Sequence, residues 1–431
     1  MGHDELPLDV AIIGGGLAGV IALHYARRAG LRALVFEKRA GVGGLWRELP
    51  AWQDIQISAS DWQLGDLPLA GTFQPQILAN IEAWVERFGL ADGIRLNSPV
   101  SRVRQEQGGW AFETPQGTVR ARHLIAATGA HNVPLIPPVI REASTVRELH
   151  SSALRDPAEV AGRDVVVVGG GASAYDLLDL CLAHGAHTIT WVYRGLRWFT
   201  PTGKPKHVAG SVRGFARLQA SGMTAAQQND AIRAEMLPRY AKFGLQEIVP
   251  AAPFDVLHDQ LIPGRHRMLA NFGSIRRLRG SVESVAGRTV TVSGGEQVDA
   301  DLLLWGTGYA VDLSYFESPA IAAIRDSRAL AARCGGLVRS LDADNLYFPG
   351  VGLDGIGSAP WAYSLMFRTI MSHIRGEARL DTMPVPHKVN HFALVDYLAA
   401  RDPASYPAGE WQAHYRSIAL ETPDDRPYPI P

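Results

Sequence analysis

Gly14, Gly16 and Gly19 stand at G-x-G-x-x-G spacing between the apolar run 8–13 and an amphipathic stretch that reaches Arg28. A strand, a glycine turn and a helix in that order form a site for a dinucleotide pyrophosphate. Gly14 permits the tight turn, and Gly16 lets backbone approach a phosphate at the N-terminus of the helix opened by Leu17 and Ala18. Gly19 lets helix and strand pack closely. Glu37 ends the next strand, 18 positions past Gly19, with Lys38 beside it. A carboxylate there accepts hydrogen bonds from both ribose hydroxyls and repels a 2′-phosphate, so FAD or NAD fits and NADP does not.

The device occurs twice. Residues 165–168 lead into Gly169, Gly171 and Ala174, with Ala172 and Ser173 between them, then a helix through Leu182 and a strand at 188–194. Ala174 takes the packing role of the third glycine. This second strand ends in Tyr193-Arg194, and a guanidinium pairs with a 2′-phosphate that a carboxylate would repel, so the second site selects NADPH. Arg197, Lys204 and Lys206 follow it. Two further buried strands each end in Thr-Gly, at Thr128-Gly129 and Thr307-Gly308, and each follows a hairpin-like stretch.

These elements predict an α/β protein with two Rossmann-like dinucleotide-binding domains of the three-layer ββα type. An FAD domain of residues 1–158 and 309–385 is interrupted by an NADPH domain at 159–308. Residues 201–270 form a helical insertion, with a helix expected at 225–240, and 386–431 a C-terminal extension. Residues 345–352 supply a late strand that returns to the first sheet.

Composition narrows the function classes. The chain has 431 residues, 42 basic and 43 acidic, a net charge of -1 and 46% hydrophobic residues, so no bulk charge favours nucleic acid or a membrane surface. The arginine-rich stretches 264–267 and 276–279 read as solvated faces. Cys181 and Cys334 belong to no C-x-x-C, which leaves no disulfide framework, zinc site or other metal site and points to a cytoplasmic setting. Residues 10–23 are apolar but hold four glycines and follow acidic residues, unlike a signal peptide or a membrane span. Without H-E-x-x-H, G-x-S-x-G or paired carboxylates, a cofactor must carry the reaction.

Over most of residues 8–375 the chain resembles the flavin-containing monooxygenases. The resemblance rests on Gly14, Gly16, Gly19 and Glu37, on Gly43-Gly44-Leu45-Trp46, on Gly169, Gly171, Ser173 and Ala174, and on both Thr-Gly strands. Residues 52–68 look most like the soluble plant auxin-forming branch and bacterial relatives. The resemblance implies that Gly44, Leu45 and Trp46 lie against the flavin, and that NADPH reduces FAD. O2 then adds to give a C4a-(hydro)peroxyflavin, which places one oxygen atom on a small or medium organic substrate. The family's F-x-G-x-x-x-H-x-x-x-aromatic signature survives only as His150, with Ser144, Val146 and Leu154 at its other positions, so N- or S-oxygenation is favoured over Baeyer-Villiger chemistry. Ser58 corresponds to the family's active-site Asn, and Ala172 replaces an Asn of the second fingerprint. Ser58 and His150 are therefore the candidate catalytic positions. The alternative is an NADPH-dependent reductase that passes electrons to a quinone or a ferredoxin-like partner; a homodimer is left open. Charge-assisted pairs contribute about 1.5–3 kcal/mol, so Arg194→Ala should raise the NADPH KM about ten- to a hundredfold and leave the NADH KM nearly unchanged. Equal effects in steady-state assays with both cofactors would remove Arg194 from the phosphate site.

Overall fold

The computed structural model describes residues 7–55, 62, 67–131, 133–201, 221–256, 259, 261–335, 338–350, 359–380 and 400–401. Ser58, Lys204, Lys206 and most of 386–431 lie outside them.

The first sheet is built on β1 (Leu8–Ile13), which pairs in parallel with β2 (Ala33–Phe36) and β3 (Gly117–Ala126). Ile94–Arg95 and β10 (Leu346–Tyr347) extend it in parallel on either side. Because successive side chains of a strand point to opposite faces, an apolar run such as β1 needs cover on both. Val10 and Ile12 face helix α1 (Leu17–Arg28) and helix α7 (Ala359–Ile374), in one core with Val20, Ile21, Leu365 and Phe367. Ala11 and Ile13 face the antiparallel hairpin Ser101–Glu106 and Gly109–Thr114, whose Val103, Trp110 and Phe112 fill the opposite core.

A second sheet repeats the plan. Arg276–Arg279, β7 (Thr188–Tyr193), β6 (Asp164–Val168), β8 (Leu302–Trp305) and β5 (Arg147–His150) lie in that order, all parallel. Val165 and Val167 pack with Tyr175 and Leu178 of helix α4 (Ala172–Ala183). Val166 and Val168 pack with Val285 and Val290 of a separate four-stranded sheet. Two dinucleotide-binding domains of the three-layer ββα type are therefore present.

The chain crosses between the sheets twice, at β4 (Val133–Pro134) and β9 (Tyr309–Ala310), and these two strands pair with each other antiparallel. Ile140–Glu142 pairs with Val282–Ala286, and β5 pairs with β8, so residues 140–150 complete the second unit's sheets. Strands of three and four residues, mostly exposed, carry no periodicity that reveals a partner more than 140 positions away.

In the insertion, helix α5 (Ala225–Lys242) begins at a capping box between Thr224 and Gln227 and buries Ile232, Met236 and Tyr240. Trp198 and Phe199 are buried against Tyr240 and belong to the core. Arg276–Arg279 is an edge strand with Arg276 and Arg279 exposed and Leu278 buried. Among the described residues no helix is long and apolar enough to cross a membrane.

Two histidines are held neutral by the cores. His24 lies edge-on to Trp84 and Phe88, and burial, helped by Arg28, lowers its pKa to about 4. His123, beside the Tyr347 hydroxyl, is lowered to about 4 by burial and by the charges of His373 and Arg122. The unfolded chain binds protons at these sites below pH ~6.5, the folded one only near 4, so stability is full above that window and falls as pH drops through it. Thermal unfolding midpoints should therefore fall between pH 7 and 5, and His24→Phe should flatten that drop. A flat profile in the parent protein would contradict the burial of these rings.

Candidate functional site

The expected residues converge where β1, β2 and β3 end. Gly14 turns at φ +106°, and a Cβ there would stand 2.6 Å from the Ala127 carbonyl oxygen. A Cβ on Gly19 would stand 1.9 Å from the Gly14 carbonyl oxygen, so a side chain there would push α1 off the turn, and one at Gly14 would strike the backbone that follows β3. Leu17 and Ala18 form the first turn of α1, whose N-cap Gly16 supplies no side-chain cap. The first N–H groups of that helix are thus left for an anion.

Glu37 is 2% exposed. Its carboxylate accepts from the Gly15 N–H at 2.6 Å and from the Arg39 N–H at 2.9 Å, with the Arg39 guanidinium at 3.4 Å. It is therefore fixed in orientation, and each oxygen retains acceptor capacity for a ribose hydroxyl. Lys38 is exposed, and its charge acts on Asp312.

A second glycine turn closes over the first. The Gly43 N–H donates to the Gly15 carbonyl at 2.9 Å, and Gly44, at φ +54°, lies against Gly16 with no side chain between the two backbones. Leu45 opens helix α2 (Leu45–Glu48), and Trp46 is half-buried, edge-on to Trp62 at 5.8 Å. The Thr128 hydroxyl lies 3.2 Å from the Tyr315 hydroxyl, and Gly129 turns at φ +83°.

The second strand end is built alike. Gly169 turns at φ +138°, where a Cβ would stand 2.2 Å from the Gly306 carbonyl oxygen, and Ala174 is fully buried against the same turn. The Trp191 indole N–H donates to the Gly169 carbonyl at 2.7 Å and holds it. Gly171 caps α4 with no side chain, open space surrounds its Cβ position, and Ala172 and Ser173 line the first turn half-buried. Arg194 is exposed and forms no ion pair among the described residues. An uncapped helix end beside a free guanidinium fits a phosphorylated dinucleotide, as the buried carboxylate at the first site fits an unphosphorylated ribose.

Gly308 and His150 lie at the crossing strands, Gly308 two residues past the Gly306 that meets the second turn. The Gly308 carbonyl accepts from the Leu135 N–H at 2.9 Å and from His150 Nε2 at 3.0 Å. His150 Nδ1 accepts from the Ser152 N–H at 3.3 Å, so the proton sits on Nε2. Burial lowers the pKa of this ring, which keeps it neutral. Sequence reasoning missed Gly15, Arg39, Gly306, Trp191 and Tyr315. Gly306 in Trp-Gly-Thr-Gly and the middle glycine of each triplet were visible signals; the indole and phenol contacts were not.

Comparison with known proteins follows this geometry. The family described as pyridine nucleotide-disulphide oxidoreductase matches residues 11–234. A Baeyer-Villiger monooxygenase of Streptomyces coelicolor is 25% identical over 378 residues, covering 77% of this chain and 70% of that protein. Phenazine N-monooxygenase PhzNO1 of Lysobacter antibioticus is 29% identical over 216 residues, 47% of this chain and 40% of its own length. The closed crystal structure of cyclohexanone monooxygenase superposes with a TM-score of 0.65 at 15% identity, over 94% of this chain and 98% of that one. Disulfide chemistry has no residues here. Cys181 and Cys334, the only cysteines, lie in separate cores, and burial pushes each thiol up to about 12.

Glu37→Arg should give purified protein depleted of FAD, because a guanidinium would face the ribose and lose the Gly15 tether. Full flavin absorbance in that variant would remove Glu37 from the site.

Proposed function

The chain belongs to the pyridine nucleotide-disulphide oxidoreductase family, and on that premise we propose that it is an FAD-containing, NADPH-dependent monooxygenase of the class B type. It places one oxygen atom of O2 on a small or medium organic substrate. The observation that carries this reading is the pair of uncapped helix ends in one chain, one beside a buried carboxylate and the other beside a free arginine.

In this reading Gly14, Gly16 and Gly19 hold the FAD pyrophosphate against α1, Glu37 orients the adenosine ribose, and Gly44, Leu45, Trp46, Thr128 and Gly129 line the same site. Gly169, Gly171, Ala172, Ser173 and Ala174 hold the NADPH pyrophosphate, and Arg194 neutralises the 2′-phosphate. Bound FAD supplies the electron relay from NADPH and the oxygen chemistry. The protein positions the two cofactors and excludes water between them. His150 is a positioning residue, since its Nε2–H grips the Gly308 carbonyl where the chain crosses between sheets.

N- or S-oxygenation is the favoured chemistry. Ser144, Val146 and Leu154 stand where the family's signature has Phe, Gly and an aromatic, which weakens a Baeyer-Villiger assignment, and an N-monooxygenase is among the relatives. The likeness to a Baeyer-Villiger monooxygenase over 77% of the chain supports carbonyl oxidation as the second reading.

Incubation with NADPH, 18O2 and a panel of tertiary amines, thioethers and cyclic ketones tests both. One 18O atom in an N-oxide or sulfoxide per NADPH consumed is expected. Labelled lactone would favour the second reading. Rapid NADPH turnover that reduces added quinone or ferredoxin, with no labelled product, would replace oxygenation by electron transfer.

A further inference from the structure

Helix α4 begins at the second glycine turn, and its carboxylates have partners that a dinucleotide site does not require. Asp176 is 9% exposed and ties together three parts of the chain. Its Oδ1 accepts from Arg265 Nε at 2.6 Å, and its Oδ2 accepts from the Gln53 side-chain amide at 3.1 Å. Arg265 is 4% exposed, comes from the insertion, and spends a second guanidinium N–H on the Pro263 carbonyl. One turn along α4, Asp179 pairs with Arg267 and accepts from the Met268 N–H, so the insertion is anchored at two levels. Gln53 comes from the first unit, in the loop that follows α2.

That loop is fixed from several sides. The Gln53 carbonyl accepts from the Gln74 N–H at 2.8 Å, and the Gln74 side chain donates to the Trp46 carbonyl. The neighbouring Trp52 indole N–H donates to the Leu154 carbonyl of the second unit at 2.6 Å. A continuous hydrogen-bonded path therefore runs from Trp46, beside the first glycine turns, through Gln74 and Gln53 to Asp176, five residues past the N-cap of α4.

Resting on the functional reading above, we infer that the Gln53–Asp176–Arg265 joint sets the distance between the two cofactor sites and makes Gln53 and Asp176 positioning residues for hydride transfer from NADPH to the flavin. The crossing strands are a two-residue ribbon. Beyond the Trp52–Leu154 bond and the apolar core the two units share, the joint adds a directed polar contact at the helix that opens at the second glycine turn. Hydride transfer depends steeply on the approach of donor and acceptor, and a misplacement of about 1 Å can cost on the order of a hundredfold.

The test compares the holoenzyme with Gln53→Met, which removes the first unit's arm and keeps the Asp176–Arg265 pair. Anaerobic stopped-flow reduction by NADPH, FAD content, NADP+ binding by flavin difference spectra and reduction by dithionite are measured together. The limiting rate with NADPH should fall roughly ten- to a hundredfold, while FAD content, NADP+ affinity and dithionite reduction stay as in the parent. Asp176→Asn should fall further, because it leaves Arg265 buried and unpaired; if that variant does not fold, Gln53→Met carries the test alone. An unchanged limiting rate in Gln53→Met overturns the inference. So does a loss that tracks FAD content or NADP+ affinity. A parent enzyme that dithionite reduces but NADPH does not would remove the functional reading and this inference with it.

Discussion

Backbone meets backbone at two strand ends, and the rest of the molecule is arranged so that it can. At Gly19 and at Ala174 a helix comes so close to the turn before it that only hydrogen or a methyl group fits. This proximity presents the first N–H groups of α1 and α4 to a phosphate, and it leaves those helices without side-chain caps. An uncapped helix end is a standing cost that an anion offsets when it binds. The buried parallel strands, the helices on one face and the hairpins on the other hold each turn against that cost.

The two turns differ in what stands beside them. Glu37 is locked by the Gly15 and Arg39 N–H groups before any ligand arrives, so the first site is preorganised for hydroxyl donors. Arg194, at the end of the second unit's β7, is exposed. The paired crossing strands, the His150–Gly308 bond and the Gln53–Asp176 bond connect the two units.

Much of this was legible in the sequence because it is local. A strand of period two, a glycine turn and a helix of period 3.6 fall within about thirty residues, and Glu37 and Arg194 stand at the ends of strands the pattern already defines. The same locality explains what was not legible. Residues 140–150 join the second unit through partners far along the chain. The contacts of Gln53 and Tyr315 are single polar atoms meeting across long sequence separations, which leave no periodicity behind. Ser58 lies outside the described residues, and its role stays an expectation from the resemblance.

In the proposed function this chain couples NADPH oxidation to oxygen transfer through a flavin. The direct measurement reduces the holoenzyme with one equivalent of NADPH without oxygen, mixes it with oxygenated buffer and follows the flavin absorbance. The oxidised spectrum should return in two separated phases, the second accelerated by an amine or sulfide. A single rapid return, indifferent to every substrate and accelerated only by quinones or ferredoxin, would contradict it.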